Sequence, residues 1–411
     1  MKVGLMHYLG PPTVGGVEDT LRRHAVGLAE LGHDPVLVVG QGESFHRDVP
    51  VVIIPKMSSR DPQVLEVQSA LDVGTLGEAF EELRAVLTQR IRMALASREV
   101  VVVHNVLTLH KNLALTAALW DLQEASELPP LVGWHHDLAW ARPAYRSQLH
   151  PGFPWDLLRR SWPGVLHVTV SRGQRARLAE LYGVEPRTIR VVPPGVDPET
   201  ILSTPQARLL ARRLRLLEAD GVLLLPARLT RRKNIELALH VLAALRDRSG
   251  KDYRLIVTGP PGPHNPANLA YWDELRGLRT SLGLESSAHF LYELTEEGRS
   301  VPAPVIVDLY RAADALLFPS RDEGFGIPVL EAGLARLPVF CADLAPLRES
   351  GGEQAAYFSP DAPPEEVAAL IESRLADDPA HLLRRRVMRE YRWEVRIRDQ
   401  VVPILEEAAL A

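Results

Sequence analysis

Cysteine is almost absent from this chain of 411 residues: Cys341 stands alone. No internal disulfide framework can hold the fold, and a reducing compartment is expected. Lysine is nearly as scarce, at Lys2, Lys56, Lys111, Lys233 and Lys251 only; in so arginine-rich a chain, a retained lysine is more informative than usual. No apolar run reaches the length of a bilayer crossing. Residues 1–6 lack the long apolar core and cleavage site of a secretion signal and read as a first strand. There is no Asp-x-Asp pair, so nothing in the sequence asks for a divalent metal. A net charge of −5 gives no general reason to expect nucleic acid as a partner. The expectation is a cytoplasmic protein.

What is present is an alternation. Short apolar runs bounded by Gly or Pro are followed by amphipathic stretches, the pattern of doubly wound parallel sheets. In the first half it predicts strands at 2–6, 35–39, 51–54, 100–103, 131–135, 166–170 and 189–192, with helices at 17–31 and 76–97. Gly32-His33-Asp34 reads as the stop of the first helix. The pattern then restarts. A basic amphipathic helix is expected at 208–218, a strand at 222–225, a helix at 234–247 and strands at 254–258, 289–291, 315–318 and 339–341.

The length and the restart predict two α/β domains, 1–195 and 196–390, with a closing segment at 391–411. The divide falls in Pro193-Pro194-Gly195-Val196-Asp197-Pro198. Two such domains would face a central cleft at the carboxyl ends of their strands, where ligands bind. Loops that directly follow strands should therefore carry the chemistry.

Four loops qualify. Glu323-Gly324-Phe325-Gly326-Ile327-Pro328-Val329-Leu330-Glu331 opens a helix. Its glycines free backbone amides, and the positive helix end suits phosphate or sugar hydroxyls. Glu331, expected in the first turn, and Glu323 could both accept hydroxyl hydrogens. The bland alternative is a helix start decorated with acids. Pro226 to Asn234 releases Arg228 and Lys233 from a strand, a fork and a point charge suited to a diphosphate; Arg231 and Arg232 read as a solvated basic turn. The loop containing Gly15-Gly16 lacks the spaced glycines of a dinucleotide fingerprint, but a Gly pair at a helix start still suits a phosphate or an acceptor. Finally, Trp134-His135-His136-Asp137-Leu138-Ala139-Trp140 places histidine and aspartate at a strand end, able to bind sugar hydroxyls or shuttle a proton. Its adjacent ligands make it a poor metal site.

In this order the four loops resemble glycosyltransferase family 4, the retaining enzymes of the GT-B fold. The likeness extends from Gly15-Gly16 to Trp393, with Glu323 and Glu331 in the family's E-x7-E signature and Arg228 and Lys233 at its diphosphate-binding cations. The resemblance implies a hexosyltransferase using a UDP-, GDP- or ADP-linked glucose or mannose, without cofactor or metal, on a hydroxyl-bearing acceptor. It implies that Glu323, with Gly324, Phe325, Gly326 and Ile327, holds the donor sugar, and that Glu331 holds the ribose. Tyr292 and Glu293 would lie by the base, and Gly15 and Gly16 by the donor. His136 would stand near the reacting carbon, with His135, Asp137 and Trp140 toward the acceptor. The 294–305 loop, with Glu296-Glu297-Gly298-Arg299, is longer than the family's usual turn there.

Rival readings remain at this level. They are a nucleotide-sugar sensor, a GT-B epimerase or phosphorylase, and a glycosidase using Glu323 and Glu331. The 208–218 helix also admits peripheral membrane contact, against the plainer reading of a surface helix.

Overall fold

The computed structural model describes residues 1–262, 267–294 and 301–410, so Glu296-Glu297-Gly298-Arg299 lie outside the described residues. The chain forms two compact units, Met1–Val196 with Glu390–Ala411, and Asp197–Arg389.

The first unit is built on seven parallel strands: β1 (Lys2–His7), β2 (Asp34–Val39), β3 (Val51–Ile53), β4 (Val100–His104), β5 (Leu131–His135), β6 (Leu166–Thr169) and β7 (Arg190–Val191). Their order is β3-β2-β1-β4-β5-β6-β7. Register pairs Leu5 with Leu37, and Val102 with both Leu5 and Val132. Side chains alternate across a strand, so each apolar run feeds two cores. Met6, Val38, Val101 and Val103 pack toward Phe80, Leu87 and Ile91 of the Glu78–Leu95 helix. Val3, Leu5, Leu37, Val100 and Val102 pack with Leu21, Ala25 and Leu28 of the Gly16–Glu30 helix, and with Trp393, Ile397, Ile404 and Leu405 of the C-terminal segment. Burial on both faces is why these strands are continuous runs of Val and Leu.

The second unit repeats the plan with six parallel strands: β8 (Gly221–Leu225), β9 (Tyr253–Val257), β10 (Ala288–Phe290), β11 (Ala315–Phe318), β12 (Val339–Ala342) and β13 (Ala356–Phe358). Their order is β10-β9-β8-β11-β12-β13. Both sheets reverse their winding once, between β1 and β4 and between β8 and β11, which marks where ligands bind in such folds. The fold class read from the sequence, α/β with two Rossmann-like parallel sheets, is the one observed.

Some elements differ. The basic helix expected at 208–218 is Pro205–Arg213. Thr204 caps it by accepting from the Ala207 amide at 3.2 Å, and Pro205 suits its first turn. The chain leaves the helix at Arg215, whose φ is 49°. Two of its three arginines are engaged: Arg208 donates to the Leu202 carbonyl at 2.9 Å, and Arg212 pairs with Glu199. Among the described residues no helix is long and apolar enough to cross a membrane. The Pro62–Asp72 helix and β13 were not expected.

Candidate functional site

In the second unit, the loops after β8 and β11 meet. The chain leaves β8 through Pro226 to a single turn at Arg231–Lys233, and Asn234 then adopts a left-handed φ of 51°. Asparagine tolerates that conformation, and here its side-chain amide donates to the carbonyls of Pro319 (3.1 Å) and Pro360 (2.9 Å). This staples the β8 loop to the β11 loop. The Arg321 amide adds a bond to the Arg232 carbonyl at 2.7 Å.

Within this frame the Lys233 ammonium donates to Glu323 and lies 4.8 Å from the centre of the Phe318 ring. Both side chains are nearly buried, 10% and 8% exposed. Burial lowers the Lys233 pKa, and the Glu323 carboxylate opposes that shift. Arg232, read from the sequence as a solvated turn, donates to the Asp322 carbonyl at 3.0 Å and to the other Glu323 oxygen at 3.4 Å. Glu323 thus sits between two cations. Arg231 fits the basic-turn reading only in part, because it pairs with Glu274 and covers the Tyr271 ring. Arg228 is exposed and has no charged or hydrogen-bonding partner among the described residues.

Arg228 is placed by a close backbone approach. A Cβ on Gly259, just past β9, would stand 2.5 Å from the Ala227 carbonyl oxygen and 2.8 Å from the Arg228 Cα. Gly259→Ala is therefore expected to displace Arg228. If Arg228 binds donor phosphate, the Kd for a nucleoside diphosphate rises about tenfold while the melting temperature changes by a few degrees. Calorimetric titration checks this; unchanged affinity would remove Arg228 from the site.

After Glu323, Gly326 takes a φ of 92° and caps the Ile327–Leu334 helix, with Pro328 in its first turn. A Cβ there would meet Leu347 at 2.4 Å, so both space and conformation demand glycine. Gly324 has open space around it. Glu331 is not in the first turn, as the spacing suggested, but in the second. It accepts from the Tyr310 hydroxyl at 2.7 Å and, with Pro302, Ile306, Tyr310 and Leu334, lines a cavity of about 660 Å³. Burial and this bond to Glu331 raise the Tyr310 pKa. Tyr292 and Glu293, expected by the base, lie in the Leu291–Leu294 turn. The Glu293 carboxylate is taken by Arg279 at 2.7 and 2.9 Å, and Tyr292 stands edge-on to Trp272.

In the first unit, β1 leads through Gly10–Gly15 to the Gly16–Glu30 helix. Its first intrahelical bond is Asp19 N to Gly15 O, 2.9 Å, leaving the amides of Gly16, Val17 and Glu18 at a positive helix end. Gly16, Val17, Thr20, His136, Asp137 and Trp393 line a cavity of about 450 Å³.

The pair His136-Asp137 is held with unusual completeness. The Asn105 side-chain oxygen Oδ1 accepts from both backbone amides, at 2.7 and 3.1 Å. Gln174 donates to the His136 carbonyl at 3.0 Å, and Thr108 donates to that of Asp137 at 2.8 Å. Arg142 pairs with the Asp137 carboxylate. Burial, with His24 and His7 nearby, pushes the His136 pKa down to about 3, so its imidazole is neutral at pH 7. A neutral imidazole can both donate and accept a hydrogen bond there.

His135 is corrected. It ends β5 on the opposite face, 1% exposed, with its Nε2 3.0 Å from His167 and its Nδ1 3.2 Å from Thr108. Strand alternation turns one histidine into the cavity and its neighbour into the packing. Trp140 is likewise turned away: its indole donates to the Trp155 carbonyl at 3.2 Å, and Arg159 covers its ring.

Two family models match. One described as "Glycosyl transferases group 1" covers residues 209–392, and one described as "Glycosyltransferase Family 4" covers residues 14–200. The chain is 33% identical over 217 residues to a D-inositol 3-phosphate glycosyltransferase of Kineococcus radiotolerans, covering 50% of this chain and 48% of that protein. It is 26% identical to an MMP alpha-(1->4)-mannosyltransferase of Mycolicibacterium hassiacum, over 99% of this chain and 98% of that one. The chain spans about half the length, or less, of the first curated relatives it matches. Among solved structures it is similar to sucrose-phosphate synthase from Thermosynechococcus elongatus, with a TM-score of 0.42 and 16% identity over all of both chains.

Proposed function

The chain belongs to glycosyltransferase family 4, and on that premise we propose that it transfers a hexosyl group, with retention, from a nucleoside-diphosphate sugar to an acceptor hydroxyl. Mannose and glucose are the favoured sugars; one relative is named for mannosyl transfer, and the donor base stays open. In this reading 196–390 is the donor domain and 1–195 the acceptor domain.

The observation that carries the proposal is the charge arrangement at the winding reversal of the second sheet. There Arg228, without a partner among the described residues, stands on the same loop as Lys233, which is nearly buried against Glu323. As the sugar–phosphate bond breaks, negative charge grows on the diphosphate, and prepositioned cations stabilise it without reorganising. Without donor, Glu323 neutralises Lys233. With donor, the diphosphate competes for the ammonium, and Glu323 is released to accept sugar hydroxyls with the Gly324–Ile327 backbone beside it. Glu331 holds the ribose. Arg228 and Lys233 supply the charge that a metal would otherwise supply, so transfer proceeds in EDTA.

Retention follows from front-face attack, in which the leaving phosphate oxygen takes the acceptor proton. Slow donor hydrolysis gives a direct test by proton NMR. From an α-linked nucleotide sugar the α-anomer of the free sugar appears first and the β-anomer follows by mutarotation. The β-anomer appearing first would overturn retention.

A further inference from the structure

Beneath His136 lies a histidine that the proposed chemistry has not used. His104, at the end of β4, is fully buried, and its Nδ1 is 3.2 Å from His136 Nε2. Two neutral imidazoles share such a contact only if one nitrogen donates and the other accepts. The geometry decides which. His104 Nε2 is buried with no hydrogen-bond partner among the described residues. Were the His104 proton on Nε2, a donor would be stranded in the core, which is rarer and costlier than an unfilled acceptor. The His104 proton therefore belongs on Nδ1, and His136 Nε2 accepts it. Neutral His136 then carries its own proton on Nδ1. That nitrogen has no partner among the described residues and is not among the sealed, unpartnered atoms of the unit. It is the ring nitrogen left to the cavity that His136 lines.

The neighbouring contacts hold this arrangement in place. Thr108 donates its hydroxyl hydrogen to the Asp137 carbonyl at 2.8 Å, so it accepts from His135 Nδ1 at 3.2 Å. His135 Nε2 consequently accepts from His167 Nδ1 at 3.0 Å, and His167 Nε2 accepts from the Ser161 hydroxyl at 3.3 Å. This chain consumes the His135 ring and pins the Asp137 carbonyl. On the other side, His7 Nδ1 donates to the His104 carbonyl at 2.9 Å, and His24 packs against the His104 ring with centroids 5.4 Å apart. His104 has no room to turn.

We propose that His104 is a positioning residue that locks His136 in its Nδ1–H tautomer, so that His136 donates a hydrogen bond to a sugar oxygen in the cavity it lines rather than accepting one. The proposal rests on the transferase reading for the sugar, but the tautomer itself does not.

Two-bond proton–nitrogen correlation spectra of [15N]histidine-labelled protein, with His136 assigned by its loss in His136→Gln, test it. In the wild type between pH 6.5 and 8, His136 shows a protonated Nδ1 and an unprotonated Nε2. In His104→Leu the ring relaxes toward the Nε2–H form favoured by a free imidazole. The kcat for nucleoside diphosphate release falls about tenfold, with KM for the donor nearly unchanged. His104→Asn keeps an amide donor near the Nδ1 position and restores both. An Nε2–H tautomer in the folded wild type overturns the proposal, whether or not any variant folds. So does an unchanged His136 tautomer in His104→Leu. The predicted tautomers without nucleoside diphosphate release from any nucleotide sugar would leave the lock standing and remove its sugar role together with the transferase reading.

Discussion

Lys233→Ala is expected to lower kcat/KM for nucleoside diphosphate release by about 10²–10³, the usual cost of deleting a prepositioned charge at a leaving group. Structure and stability should respond separately from activity. Lys233 is 8% exposed and its ammonium lies over Phe318 against Glu323. Truncation leaves the Glu323 carboxylate nearly buried, with Arg232 at 3.4 Å as its remaining charged neighbour. Removing one member of a buried pair costs about 3–5 kcal/mol; Arg232 should hold the loss near the lower end. Lys233→Ala with Glu323→Gln removes the stranded charge and should recover most of the melting temperature, while activity stays lost. Lys233→Arg should not rescue, because a planar guanidinium does not fit the slot of a point charge. Melting curves and steady-state kinetics on these three proteins separate the roles. Near-normal turnover in Lys233→Ala would leave the lysine with a structural role alone.

Mild acid should unfold the first unit well before the second. Six of its histidines are buried, His7, His24, His104, His110, His135 and His167, and His136 is half-buried. Burial pushes all seven below the ordinary histidine range, His24 and His136 to about 3 and His167 to about 4. The sign follows. Above pH 6.5 these groups are neutral folded and unfolded, and their burial costs nothing in charge. As pH falls from 6.5 toward 4, the unfolded chain binds protons that the folded unit refuses, and stability drops. At pH 5 each contributes up to about 2 kcal/mol of loss, against a net stability of roughly 5–15 kcal/mol.

Among its described residues the second unit has one such histidine, His289, pushed down to about 4 mainly by burial, so it loses far less over the same range. Burial opposes ionisation of Asp308 and Asp314, but the amides of Ser203 and Thr204 for the first, and His381 with Arg384 for the second, outweigh it. Both pKa values lie below the ordinary carboxylate range, so their stabilisation is lost only as pH falls below about 4. Six of the seven tryptophans are in the first unit and Trp272 is in the second, so fluorescence follows the first unit. A fluorescence transition near about pH 5 with a later far-UV dichroism transition is expected. A single coincident transition below pH 4 would contradict it.

Much of this was legible from the residues because buried parallel strands announce themselves as uninterrupted Val and Leu runs. The first sheet's strands, the β8 loop with Arg228 and Lys233, and the helix opened by Gly326 and Pro328 all carry such local signals. β13 is only Ala356–Phe358, too short to stand out. The Pro62–Asp72 helix did carry a signal: Asp61 before Pro62 caps it, accepting from the Gln63 amide at 3.0 Å.

Long-range pairings were not legible. Arg232 and Glu323 lie 91 positions apart and meet because β8 and β11 are neighbours in the sheet. His104 and His136 meet because β4 and β5 are neighbours. His135 ends β5 and His136 follows it, and only the pleat at that strand end decides which of the two side chains lines the cavity. Glu331 shows the opposite limit: eight positions from Glu323, its placement depends on where the helix starts, and it came a turn later than the spacing suggested.

The central claim is donor cleavage by the charge arrangement around Lys233, and chromatography of nucleoside diphosphate release tests it most directly. The panel is UDP-, ADP- and GDP-linked glucose and mannose in EDTA, with Lys233→Ala beside the wild type. The account predicts slow release from one donor by the wild type and loss of that release in the variant. No release and no nucleotide binding across the panel, or equal release by the variant, would contradict it.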